Sequence, residues 1–213
     1  MATGNGAPGY GTTAPPKPVV AMGIASSTQM GSTGGTDSIT DTTQITFGDV
    51  IPFSNRGPGA DGLVGVQLAA DGANAAGAYP INYLGNGAYA NVEWGGTSRS
   101  TPVAAGAMAL VYQAFQDRQG RWPTWEEARA ILMSGARYNG YDPFTVGAGV
   151  LDAGDAVRIA SGRRGLYATP AEWTAGDYHG YAHPAFARLV APGEVATTTI
   201  TLHNPTDRDV YAT

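Results

Sequence analysis

Residues 103–110 run through valine, alanine, glycine, methionine and leucine without one polar side chain, which predicts a helix buried on all sides and packed closely against a sheet. Ahead of it, an apolar stretch over residues 18–25 predicts a buried parallel strand. Asn91 and Glu93 alternate with Val92 and Trp94, as in a short strand leading into the helix. Thr124 and Glu127 make a capping-box pattern before Ala128, Ile131 and Leu132, which share one helical face; Trp125, Ile131 and Leu132 are expected in the core. Asp152 is placed to cap a last helix through Ala160, ended by Gly162. Beyond Leu166 the period changes to that of a strand. Ala196, Thr198, Ile200 and Leu202 alternate with Thr197, Thr199 and Thr201, and residues 204–207 then form a turn.

Charged residues are 14% of the 213 positions, against roughly 25% in ordinary soluble chains, and 31 glycines help to replace them. Such a composition suits a secreted, loop-rich protein. The absence of cysteine excludes disulfides and thiolate metal sites. A net charge of −5, from 12 basic and 17 acidic residues, leaves no basic patch for nucleic acid. No apolar stretch approaches the roughly 18 residues of a membrane span. Residues 30–43 read as a Gly/Ser/Thr/Asp surface loop, where Asp37 and Asp41 offer carboxylates to a structural calcium, although a solvated loop is the plainer account. No cofactor is expected.

The chemistry concentrates just before the apolar helix. Gly95 and Gly96 allow a tight turn, Thr97 and Ser98 follow, and Pro102 suits a first helical turn, where an N–H is not needed. A hydroxyl at a helix N-terminus lies beside free N–H groups and the positive end of the dipole, so an oxyanion formed there is stabilised. A serine in this position is more often a structural cap than a nucleophile. The length of the pattern changes the balance. Residues 95–110, with Gly96-Thr97-Ser98, Ser100, Pro102 and the Ala105-Gly106 pair, resemble the catalytic-serine signature of the subtilisin-like serine proteases, the subtilases. Arg99 stands where that family often has Met, and Val103 where it often has His.

Other segments agree in order. Residues 2–6, Ala-Thr-Gly-Asn-Gly, resemble the family's oxyanion segment; residues 53–58, Phe-Ser-Asn-Arg-Gly-Pro, resemble a family turn. Residues 147–153 resemble the motif that closes the catalytic domain. Between them, Val66 and Gln67 replace the family's Pro-Asp, and Asp71 replaces the Pro of its Ala-Pro-Gly. The resemblance implies a three-layer α/β fold around a doubly wound, mostly parallel sheet, and peptide-bond hydrolysis through an acyl-enzyme on Ser98. It further implies that Asn5 donates to the oxyanion, and that Ala2, Thr3, Gly4 and Thr97 contact the polypeptide substrate.

A serine needs a base, and the base needs an acid partner to hold its tautomer. All three histidines, His179, His183 and His203, follow Ser98, and none lies in a His-Gly-Thr segment. The economical expectation is that residues 1–162 are the C-terminal half of a subtilase catalytic domain, incomplete at its N-terminal side, with Met1 an internal residue. Residues 163–213 are then a linker, opened by Arg163-Arg164, and the start of an immunoglobulin- or fibronectin-like β domain, too short to close a sandwich. On this expectation the missing N-terminal half is a partner, and residues 1–10 are poorly anchored without it. A non-catalytic pseudoprotease scaffold or secreted binding fragment is the rival reading.

Overall fold

The computed structural model describes residues 1–14, 21–28, 48–60, 62–73, 75–78, 91–177 and 189–210. Residues 18–20, the 30–43 loop with Asp37 and Asp41, and His179 and His183 lie outside the described residues. The centre of the fold is a parallel pair, β1 (Ile24–Ser27) and β2 (Leu68–Asp71), in which Ile24 faces Leu68 and Ser27 faces Asp71. Side chains on a strand alternate between faces. Met22, Ile24, Leu68 and Ala70 join one apolar cluster, whereas Ala25, Val66 and Ala69 join another with Val50, Val146 and Val150. Both faces are buried, which is why apolar residues fill successive positions at Ile24–Ala25 and Leu68–Ala70 instead of alternating with polar ones.

Isolated pairings widen this sheet at both edges. Ala2 runs parallel to Ile24, while Gly147 and Val150 pair with Leu68 and Ala69 on the far side. Residues 1–7 therefore make backbone hydrogen bonds to neighbouring segments, where the sequence expectation was a poorly anchored stretch over residues 1–10. Ile24 N–H donates to Met1 O at 2.8 Å, Thr3 N–H to Ile24 O at 3.3 Å, and Ala7 N–H to Phe53 O at 3.2 Å. The ladder uses backbone groups alone, so nothing in the side-chain pattern advertised it.

A second, antiparallel pair, β3 (Ala75–Ala78) and β4 (Asn91–Trp94), leads into α1 (Thr97–Gln119), which packs on β1 and β2. The expected all-round burial of this helix does not hold. Thr97, Ser100, Ala104, Ala107, Val111 and Phe115 are buried, spaced three or four apart along one stripe, while Val103 is 39% and Leu110 52% exposed. Small apolar residues on the other side have no covering element among the described residues. Pro102 also sits one turn later than expected, because the helix begins at Thr97. Lacking an N–H, it cannot supply the helical donor to the Ser98 carbonyl four residues back.

Two further helices close the main core, α2 (Trp125–Ser134) and α4 (Ala153–Ala160), with the short α3 (Pro143–Val146) between them. Asp152 caps α4 by accepting from Asp155 N–H at 2.9 Å. In α2 the capping box is complete, with Thr124 Oγ1 accepting from Glu127 N–H at 3.2 Å and Glu127 accepting from Thr124 N–H at 2.8 Å. Arg121 grips the same carboxylate, and its hydrogen bond is the main reason that Glu127 titrates at about 2 rather than 4.5. The unfolded chain then binds this proton first as pH falls, so the contribution of Glu127 is full above its ordinary value and lost between there and about 2. Glu127→Gln should therefore lower stability in urea melts at pH 7, and the deficit should shrink towards pH 2.5.

The C-terminal region departs most from its sequence pattern. Of the strand expected over residues 195–202, only β6 (Thr201–His203) forms, pairing antiparallel with β5 (Tyr167–Thr169). Val195, Ile200 and Leu202 are 83%, 58% and 63% exposed, so the alternation buries neither face. Residues past 162 also touch the main core. Tyr167 is buried in it, and Glu172 accepts from Gln67 Nε2 at 2.6 Å and Arg129 at 2.9 Å. Arg163 and Arg164 lie in the hydrogen-bonded turn that ends α4, with both N–H groups directed at Arg158 O.

Candidate active site

Gly96 opens α1 at a φ of 128°, a conformation that favours glycine, and contributes no capping side chain. The first N–H groups of a helix must therefore find other acceptors. Thr97 N–H donates to Asn5 Oδ1 at 3.0 Å, and the N–H groups of Arg99 and Ser100 both reach Gly96 O, at 2.9 and 3.2 Å. Ser98 N–H is left without a protein acceptor among the described residues, and the Ser98 side chain above it is exposed.

Asn5 is bound to this turn across 92 positions of sequence. Its Oδ1 accepts from both the N–H and the hydroxyl of Thr97, the latter at 2.7 Å. A backbone N–H only donates, so the atom facing it is the amide oxygen, and Nδ2 is turned outward with no protein partner among the described residues. Nδ2 lies beside Gly96, where a Cβ would come within 2.9 Å of it. Thr97 itself is 1% exposed; its hydroxyl accepts from Gly4 N–H at 3.2 Å while donating to Asn5. Its side chain thus connects two protein segments.

Ala2, Thr3 and Gly4 run along the edge of β1 into Asn5. Thr3 is buried and donates its hydroxyl to Ile24 O at 3.3 Å, and Gly4 holds a φ of 101°. The Asn55 side chain clasps this segment from behind. Its Nδ2 donates to Thr3 O at 2.9 Å, its Oδ1 accepts from Gly6 N–H at 2.5 Å, and its backbone N–H donates to Gly4 O at 3.0 Å. Every neighbour of Asn5 is thereby fixed. Asn55 belongs to the 53–58 turn singled out in the sequence, but its partners lie some 50 positions away and no local signal names them.

Below the turn, Ser100 is fully buried and donates to Ser26 Oγ at 3.1 Å, while Gly96 N–H donates to Gly72 O at 2.8 Å. A Cβ on Gly72 would overlap both serine hydroxyls. Gly72→Ala should therefore displace the start of α1 and cost about 3 kcal/mol, measurable as a lowered melting temperature.

Asp71 and Arg99 form an ion pair at 3.0 Å beside Ser98, each side chain 17% exposed. Burial pushes the Asp71 carboxyl up from its ordinary value, opposed by the Arg99 charge and by the Ala73 N–H. Among the described residues no group of three or more His, Cys, Asp or Glu is placed to hold a metal ion. His203, the described histidine, bonds Thr169 Oγ1 at 2.7 Å and stacks on Tyr167. No helix among the described residues is long and apolar enough to cross a membrane.

A parallel strand pair covered by a long helix, with an exposed serine in that helix's first turn, places the molecule in the mixed α/β class. The chain belongs to the subtilase family, Peptidase S8, whose family model matches residues 1–149. Among solved structures, it is similar to the self-cleaved protease domain of PatA, with 24% identity over 76% of this chain and 49% of that one and a TM-score of 0.51. It is also similar to the prenylagaramide maturation protease PagA, with 23% identity over 76% and 50% of the two chains and a TM-score of 0.52. The chain spans about half the length of these proteases. No curated protein matches it.

Proposed function

We propose that this chain is the nucleophile- and oxyanion-bearing half of a secreted subtilisin-like serine endopeptidase. Ser98 attacks the scissile carbonyl of a polypeptide, and Asn5 Nδ2 with Ser98 N–H holds the resulting oxyanion. Ala2 and Gly4 line one wall of the substrate cleft, and Thr3 and Thr97, both buried, support it from beneath rather than touching the substrate as the resemblance had implied. The aspartate and histidine come from an N-terminal half of the same catalytic domain, which completes the three-layer, doubly wound architecture. Residues past 162 lead into an appended β region.

The observation that carries this reading is the pair of free donors. Asn5 and Thr97 satisfy each other in the one orientation that leaves Nδ2 outward, beside the first-turn N–H that no other group uses. Donors positioned before charge develops stabilise it without reorganising. The exposed apolar side of α1 and the adjoining groove lined by Met22, Ala104, Met108, Trp125 and Leu132 support the need for a covering half. The test is to express the complete reading frame, treat it with a fluorophosphonate probe and map the adduct by mass spectrometry. Labelling at Ser98 that disappears in Ser98→Ala supports the protease reading; an unlabelled, folded protein supports the scaffold reading instead.

A further inference from the structure

Two positions at which the sequence departs from the subtilase pattern, Arg99 and Asp71, are in contact with each other. Arg99 sends one guanidinium nitrogen to Asp71 Oδ2 at 3.0 Å and the other to Ala73 O at 2.9 Å. Asp71 is itself oriented, because its second oxygen accepts from Ala73 N–H at 3.2 Å. The planar guanidinium therefore bridges a carboxylate and a carbonyl that belong to one small turn at the end of β2. Gly72, between those residues, accepts from Gly96 N–H at 2.8 Å. The β2 exit turn thus holds α1 at residues 96 and 99, and the Asn5 segment holds it at Thr97. Ser98, whose N–H and hydroxyl have no protein partner among the described residues, has both neighbours fixed by side chains from distant segments.

We infer that Arg99 and Asp71 form a positioning pair for Ser98, a second latch on the nucleophile turn that works alongside Asn5 and Thr97. The inference rests on the protease reading for its catalytic consequence. Its geometric consequence stands without it. A cap glycine carries no side chain to orient the first turn, so the fork of Arg99 fixes the direction in which the Ser98 hydroxyl leaves the helix. Lysine would not replace it, because a single ammonium cannot span both acceptors in a plane.

Two measurements test the pair. In the complete protease, Arg99→Met and Asp71→Asn should each lower kcat per titrated active site by about tenfold with little change in KM, as expected for a displaced nucleophile. The double variant should be no worse than the poorer single one, since both remove the same latch. A change in melting temperature with kcat per titrated site unaltered would overturn the inference, because it would leave the pair a purely structural role. The second measurement does not need activity. In the full 213-residue chain, Arg99→Met should accelerate amide exchange at residues 97–100 by about fivefold while leaving α2 unchanged; unchanged exchange at those residues overturns the inference as well. An inactive wild-type protease whose exchange still depends on Arg99 would reject the protease reading while supporting the latch.

Discussion

Incubated alone, the 213-residue chain should leave peptide substrates uncleaved, and joining it to an N-terminal half that carries aspartate and histidine should restore hydrolysis. The expected difference is on the order of a millionfold, the typical loss when a subtilase serine is deprived of its base. A serine hydroxyl without a proton acceptor is an ordinary alcohol, and on the proposed reading the oxyanion donors then act on a carbonyl that is rarely attacked. The one described histidine, His203, is engaged with Thr169 and Tyr167. Peptide turnover by each species, with Ser98→Ala as control, measures the effect. Enzyme-like turnover by the isolated chain would overturn this expectation and turn attention to His179 and His183.

Replacing Asn5 by alanine in the complete protease should lower kcat by about a hundredfold to a thousandfold with KM nearly unchanged. On the proposed role, the Asn5 amide meets negative charge that exists only in the transition state, so its loss is felt in turnover more than in binding. Asn5→Asp should be at least as damaging. Its carboxylate has no donor for the oxyanion and places a negative charge where another is forming. Thr97→Val should reproduce part of the Asn5 loss, because the Thr97 hydroxyl is one of the two groups that orient the amide. A kcat for Asn5→Ala within threefold of wild type would remove Asn5 from the oxyanion site.

The local features legible in the sequence were those whose cause is local. The capping box of α2 and the cap of α4 were readable because each depends on residues three positions apart. The tight turn that opens α1 was readable because glycines, a small hydroxyl pair and a following apolar run lie within sixteen residues. Segment resemblance brought Asn5 and Ser98 into one proposal, but resemblance assigns roles without giving contacts.

Tertiary structure decided the rest. The sequence could not show that Asn55 clasps both sides of Asn5, or that Arg99 and Asp71, unrelated in their departures, meet as a pair. Such contacts join residues 28 to 52 positions apart, and no periodicity encodes a partner at that distance. The edge ladder of residues 1–3 was equally hidden, since it is made from backbone groups that every residue carries. Apolar composition also overstated burial. It established that residues 103–110 can be buried and that residues 195–202 can be a strand, but burial needs a covering neighbour, and only the assembled fold determines which sides receive one.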